Sequence, residues 1–155
     1  MKHRRRHTMT KAELVHRLVP GLRPKLADDQ VRDLSLVHHV NLHSLRDGTA
    51  DAALMWQWFG GVLTWSKVAE IRGLGVDEMR DQAALCLRVA DRYRETGQIS
   101  LADNEYELAV AGVIVMDELA GRVDRATAIE AAEWSEEQIN RLAADGPHGD
   151  RHATA

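Results

Sequence analysis

The sequence predicts an all-α protein, a single compact bundle of about six helices. Apolar residues recur at helical spacing along most of the 155 residues, and glycines and capping residues divide the chain into segments of helical length. No run of four or more residues alternates apolar and polar between turn signals, as a half-buried strand would. We expect one helical domain at residues 10–145, with a flexible basic arm at 1–9 and a flexible tail at 146–155.

The first two predicted helices are defined by their ends. A capping-box pattern at Thr10–Glu13 begins a short helix of about 11–19, and a proline–glycine pair ends it. Asp28 or Asp29 caps the second helix, which continues to Asp47 and stops at the glycine that follows. The apolar residues of this second helix fall on one arc: Val31, Leu34, Val37, Leu42 and Leu45.

Glycines also separate the next two helices. A third helix runs from Thr49 or Asp51 to about Ile71, where Gly73–Gly75 breaks the pattern. The fourth covers roughly 76–96 and ends at another glycine. Its packing seam has alternating spacings of four and three: Met79, Ala83, Cys86, Ala90 and Tyr93.

The last two helices are predicted from capping residues. A weak capping-box pattern at Ser100–Asp103 begins a fifth helix that continues to the next glycine. Asp124 caps the sixth, which runs toward Leu142. Because Ser135–Gln138 is itself a capping-box pattern, this segment is either one helix or two shorter helices with a bend near Trp134.

The third and fifth helices are apolar around most of their circumference, which is typical of buried helices. Each has glycine near its middle, Gly60–Gly61 in the third and Gly112 in the fifth. A glycine inside a helix costs about 1 kcal/mol of helix propensity, so these positions predict the close approach of a neighbouring backbone. We expect these two helices at the centre of the bundle, crossing glycine to glycine.

The net charge of −4 combines two unlike regions. The first eleven residues hold five basic residues and no acid, so the remaining residues carry −9, and this excess lies between Asp77 and Asp145. A single cysteine cannot form an internal disulfide and favours a reducing compartment. The longest uncharged stretch, residues 52–66, is too short to span a bilayer. These features predict a cytoplasmic protein without a membrane segment.

The second helix carries a weak candidate metal site. His39, His43 and Asp47 are spaced four apart, so they share one side of the helix and could supply two histidines and a carboxylate. A divalent metal normally needs a further ligand from another element, and nothing in this helix's own pattern supplies one. We expect a solvated polar face and no cofactor, with metal or small-ligand binding as an alternative.

Three polar residues are predicted in apolar surroundings. His38 and Asn41 fall inside the apolar arc of the second helix, and Asp117 lies among apolar residues of the fifth. Burial without partners costs about 1–3 kcal/mol for each such group. We interpret them as satisfied core or interface groups; the alternative is a ligand-facing or partner-facing cluster in which an aspartate and a histidine shift each other's pKa.

The chain lacks the motifs of common catalytic sites. It has no Gly-x-Ser-x-Gly elbow, no phosphate-binding loop and no His-Glu-x-x-His. Cys86 lies in the middle of the fourth helix's seam, where a thiol acts as a small hydrophobic group. We therefore expect a protein that is not an enzyme.

Tryptophans are candidates for partner contact. Trp58 and Trp65 share a face with aliphatic residues of the third helix and are predicted in the core. Trp56 points away from that face, and Trp134 lies beside the predicted bend. Because tryptophan is common at interaction hot spots, Trp56 and Trp134 are the stronger candidates.

A nucleic-acid partner is the main alternative. Residues 64–87 faintly resemble a helix-turn-helix. The helix that would read bases, however, begins with three carboxylates against one arginine, and the phosphate backbone would repel these carboxylates. The basic arm could still contact nucleic acid through four residues: Lys2, Arg4, Arg5 and Arg6.

These observations favour a small non-enzymatic helical protein that acts through a protein partner or as a regulator, with a homodimer as one form of that partnership. A transcriptional regulator that uses the arm and residues 64–87 is the alternative.

Overall fold

In the computed structural model, which describes residues 24–144, the chain forms five α-helices and no β-strand. They are α1 (Asp28–Arg46), α2 (Ala52–Arg72), α3 (Val76–Thr96), α4 (Asp103–Ala120) and α5 (Arg125–Ala144). The all-α prediction is confirmed. These helices correspond to the second to sixth predicted segments. The helix predicted at 11–19, the basic arm and the tail lie outside the described residues, so the predicted six becomes five within this range.

The first four helices form a ring, and α5 packs outside it. Each of α1 to α4 packs against the next, and α4 returns to contact α1, while α2 and α4 also touch across the middle. Among the described helices, α5 packs against α2 alone. Helix α2 is therefore the central element, with α1, α3 and α5 around it.

Residues from all five helices contribute to one hydrophobic core. Trp58, Val62 and Trp65 of α2 are almost fully buried, as are Met79 of α3 and Met116 of α4. This burial agrees with the prediction that Trp58 and Trp65 belong to the core. Burial of large apolar side chains is the main stabilising contribution in such a bundle.

The predicted glycine-to-glycine crossing is wrong. Gly112 of α4 faces the side chain of Gln82 on α3, whereas Gly60 faces Ile139 of α5 and Gly61 faces His38 of α1. Each glycine thus makes room for a side chain of a neighbouring helix, and no two of them meet. The mistake arose because a missing Cβ admits a large side chain as readily as it admits another backbone.

The helix ends agree with the predictions at some caps and differ at others. Asp51 accepts a hydrogen bond from the Leu54 N–H at 2.8 Å. Asp28 and Asp29 do not cap α1: Ala27 precedes the helix, and its N–H donates to the Gln30 side chain at 3.1 Å. The N-cap predicted at Ser100 also differs from the structure. Ala102 precedes α4, and its N–H donates to the Glu105 carboxylate at 2.9 Å.

The C-terminal helix is continuous. Helix α5 runs from Arg125 to Ala144 without a break at Trp134, so the two-helix alternative is wrong. Instead of starting a new helix, the Ser135 hydroxyl donates to the Ala132 carbonyl at 2.9 Å. It also lies 2.7 Å from the Thr64 hydroxyl of α2. Both contacts satisfy the hydroxyl within an unbroken helix.

Candidate functional site

An apolar groove runs over the outer surface of α2, between α1 and α5. Its volume is about 290 Å³. Leu34, Val37 and His38 of α1 form one wall, and Ala128 and Ala132 of α5 form the other. The floor consists of residues of α2: Gln57, Gly61, Thr64, Trp65 and Val68. The groove exists because α1 and α5 both border α2 but do not pack against each other.

His38 is the main polar group of this groove. Its Nε2 accepts a hydrogen bond from the indole Nε1 of Trp65 at 2.6 Å, which requires Nε2 to be unprotonated. Burial lowers the pKa of His38; the charge of Asp117 opposes this lowering, and His39 adds to it. His38 is therefore a neutral imidazole with its proton on Nδ1.

Gly61 makes the position of the imidazole possible. A Cβ at Gly61 would lie 3.3 Å from Cε1 of His38, so any larger residue would press on the ring. The sequence pattern predicts His38 on the apolar arc of its helix but does not predict its contacts with Gly61 and Trp65. The pairing depends on how α1 and α2 pack, which helical periodicity does not contain.

The other two predicted buried polar residues have different environments. Asn41 is 3% exposed, and its Nδ2 makes no hydrogen bond within the described residues. Asp117 is half-buried; its Oδ2 lies 2.9 Å from Nε2 of His39, while its buried Oδ1 has no hydrogen-bond partner there. Asp117 is thus close enough to influence His38 electrostatically but pairs with His39.

The three candidate metal ligands do not share one site. Nε2 of His43 lies 3.0 Å from Oδ2 of Asp47, and His39 turns instead to Asp117 of α4. Within residues 24–144, no group of three or more His, Cys, Asp or Glu side chains is placed to hold a metal ion. The two histidines therefore contact two different carboxylates, on the exposed surface.

The candidate partner residues differ in exposure. Trp56 is 49% exposed and packs edge-on against Phe59, with ring centroids 5.5 Å apart. Trp134 is half-buried, and Nζ of Lys67 lies 5.2 Å from its ring centroid. Trp56 thus presents an open aromatic surface, whereas part of the Trp134 ring is covered by a cation–π contact.

Within the described residues, the remaining sequence candidates lie in surroundings that disfavour the predicted chemistry. Cys86 is buried, and burial raises the pKa of its thiol, which disfavours the nucleophilic thiolate. In the first turns of α3, Asp77 and Asp81 are exposed, and Asp77 pairs with Arg80 at 2.7 Å. The arm residues Lys2, Arg4, Arg5 and Arg6 lie outside the described residues.

The sequence patterns do not predict an ion pair that joins α3 to α4. Glu105 is 6% exposed and accepts two hydrogen bonds from Nη2 of Arg92, at 2.8 and 2.9 Å. The same Arg92 donates to the Ser100 carbonyl at 2.6 Å. These bonds hold the pKa of Glu105 below its ordinary value and fix the loop between α3 and α4.

A second, more open cleft of about 540 Å³ lies between the loop that precedes α2 and the loop that follows α3, beside Tyr93. Its surroundings are mainly backbone and small residues.

No described helix combines the length and apolarity needed to cross a membrane. No protein-family model matches the chain, and no curated protein or solved structure shows significant similarity to it.

Proposed function

We propose that this chain is a small non-enzymatic interaction protein and that it binds a protein partner through the solvent-facing side of α1. The observation that carries the proposal is a cluster of exposed aliphatic side chains one helical turn in length. Leu36 is 60% exposed, Val40 is 51% exposed and Val37 is 39% exposed. We call these three residues the outer α1 patch.

The outer α1 patch differs from the other exposed apolar residues. Single exposed aliphatic side chains are ordinary on protein surfaces. Leu87, Ile114 and Leu142 are of this kind, each on a different helix. Leu36 and Val40 lie four residues apart on the same helix face, opposite the buried Leu42 and Leu45, so they form one contiguous surface.

The charges around the patch favour a basic partner element. At helical spacing, Asp29 and Asp33 lie on the same side of α1 before the patch, together with Arg32, and Asp47 lies there beyond it in contact with His43, so acidic residues outnumber the one arginine. An amphipathic helix with aliphatic residues at its centre and lysine or arginine at its ends would match both features. We propose such a helix as the partner element.

A nucleic-acid partner has less support among the described residues. The exposed acidic residues at the start of α3 would repel phosphate. A catalytic role also has less support, because the buried thiol of Cys86 has a raised pKa and His38 already accepts a hydrogen bond from Trp65.

Site-specific photo-crosslinking in the native host tests the proposal. A photoreactive amino acid at Leu36 is expected to give one discrete adduct with another protein, and the same group at the exposed Ala84 of α3 is expected to give none. Val40→Asp should abolish the adduct, because a charge in the patch disfavours burial of the partner's apolar face. Equal adducts from both positions would contradict the proposal, and an adduct with a second copy would replace the partner with a homodimer.

A further inference from the structure

The groove between α1 and α5 contains one polar edge that the described residues leave open. Aliphatic side chains form most of its walls. The hydroxyl of Thr64 in the floor is already engaged, since it donates to the Gly60 carbonyl at 2.9 Å. Gln57 lies exposed at one end of the floor. His38 is therefore the polar side chain that determines what the groove can bind.

The open edge of His38 is its Nδ1–H. Because Nε2 accepts the hydrogen bond of Trp65, the ring proton is on Nδ1. Nδ1 donates no hydrogen bond to any of residues 24–144, although the side chain of His38 is largely shielded from water. The ring thus offers one donor whose orientation is held by Trp65. An acceptor brought by a ligand would satisfy it.

Gly61 keeps this donor edge uncovered on the side of α2. A Cβ at position 61 would lie 3.3 Å from Cε1 and 3.6 Å from Nδ1 of His38, so any other side chain would lie against the donor edge. The φ of Gly61 is not positive, so the backbone conformation does not require glycine there. Glycine inside a helix instead lowers helix propensity. The space beside His38 is therefore what this glycine provides.

The groove has the volume of a small organic molecule. An apolar cavity of about 150 Å³ holds benzene, so 290 Å³ has room for roughly eleven or twelve non-hydrogen atoms. Leu34 is 36% exposed and Val37 is 39% exposed, so a ligand in the groove would remove apolar surface from water. A ligand that fits this lining is mostly hydrocarbon.

The charges around the groove favour a neutral ligand. The imidazole of His38 is itself neutral and supplies no positive charge to pair with an anion. The stretch 126–140 of α5, which includes one wall, contains four glutamates and no lysine or arginine. Lys67 of α2 is not a lining residue and contacts Trp134 instead. A carboxylate would therefore be repelled, whereas a carbonyl oxygen can accept from Nδ1 without a charge.

We propose that the groove is a binding site for a small, neutral, largely apolar molecule with a carbonyl group, whose oxygen accepts a hydrogen bond from Nδ1 of His38. The apolar part of the ligand packs on Trp65 and Val68 in the floor. This site goes beyond the proposed partner interaction, which uses Leu36 and Val40 on the solvent-facing side of α1.

Binding of benzylacetone to the full chain, followed by nuclear magnetic resonance, tests the proposal. This neutral ketone has about eleven non-hydrogen atoms, which matches the groove volume. We expect a Kd of about 1 mM or lower, with shifts in the signals of the His38 ring and the Trp65 indole N–H. Phenylpropanoate, a carboxylate of similar size, should bind at least about tenfold more weakly. No binding of the ketone up to about 5 mM, or equal binding of the carboxylate, would overturn the proposal.

Matched substitutions on α5 locate the site. Ala132 lines the groove, whereas Ala126 is exposed outside it. Ala132→Phe should weaken benzylacetone binding at least about tenfold, because the added ring occupies the groove, and Ala126→Phe should leave the Kd within about twofold. Equal effects of the two substitutions would place the ketone elsewhere and overturn the proposal.

A comparison of two ligands isolates the hydrogen bond. His38→Met removes the donor and keeps a side chain of similar size. Benzylacetone should then lose about tenfold in affinity, whereas butylbenzene, which has no carbonyl, should keep its affinity within about twofold. His43→Met, at an exposed position of the same helix, should change neither. Equal losses for both ligands in His38→Met would contradict the role of Nδ1.

A measurement in the native chain covers the case in which His38→Met does not fold because the Trp65 N–H has lost its acceptor. Nuclear Overhauser effects should connect the methyl protons beside the carbonyl of bound benzylacetone with the proton on Cε1 of His38, the carbon next to Nδ1. Their absence at saturating ketone would overturn the proposal.

Discussion

At the scale of single residues, His38 is neutral because it is buried and because Trp65 donates to its Nε2. The unfolded chain takes up a proton at this histidine near its ordinary pKa of 6.5, whereas the folded chain does so at lower pH. Between these two pKa values the unfolded state binds more protons, so the free energy of unfolding decreases as the pH falls.

His38→Gln should weaken this pH dependence, because glutamine can accept from Trp65 without titrating. Urea unfolding at about pH 7.5 and about pH 5.5 measures it, since these conditions lie on either side of the ordinary histidine pKa. Equal loss of stability on acidification in the native chain and in His38→Gln would contradict the assignment.

Glu105 is stabilised in its charged form, whereas His38 is stabilised in its neutral form, because Arg92 donates hydrogen bonds to the Glu105 carboxylate. The pKa of Glu105 is lower in the folded chain than its unfolded value of 4.5. Its contribution to the free energy of unfolding is therefore fully present above pH 4.5 and is lost as the pH falls through the folded pKa. Glu105→Gln should lower the free energy of unfolding near neutral pH by about 1–3 kcal/mol. The exposed Glu107→Gln should change it little, and equal effects in chemical denaturation would refute this role.

At the scale of helices, the glycines inside α2 and α4 should respond differently to alanine. A Cβ at Gly112 would overlap the buried side chain of Gln82, whose Nε2 donates to the Leu108 carbonyl. A Cβ at Gly60 would lie 3.3 Å from the terminal Cδ1 of Ile139, which can move.

Gly112→Ala should therefore destabilise the protein by about 1–3 kcal/mol, because Gln82 must give up its position. Gly60→Ala should be neutral or stabilising by up to about 1 kcal/mol, since alanine favours the helix. Thermal unfolding of the two variants checks this order, and a reversed order would show that the packing around α4 has been misassigned.

The same glycines show what the sequence could and could not predict. Helical periodicity and the turn glycines located the five described helices to within a few residues, because they depend on local rules. The neighbour of each glycine depends on the relative rotation of two helices. For the same reason the sequence predicts that His38 lies on the apolar arc of its helix but does not predict the groove, because the walls of the groove belong to α1 and α5, which are far apart in the sequence.

At the scale of the whole molecule, α5 differs from the other described helices because it packs against one helix only. Its amide hydrogens should exchange through a local opening of α5 from α2, with a smaller opening free energy than the amides of α3. Hydrogen exchange detected by mass spectrometry checks this. Equal protection in α3 and α5 would instead indicate that the five helices unfold as one cooperative unit.

The pairing of Lys25 with Asp124 has a consequence for biosynthesis. It joins positions about one hundred residues apart, so closing this loop carries a substantial entropic cost until the intervening helices have assembled. On the ribosome, α1 and α2 leave the exit tunnel well before α5 is made. The groove is therefore completed only after α5 has been made, and until then the surface of α2 that α5 will cover is open to chaperones.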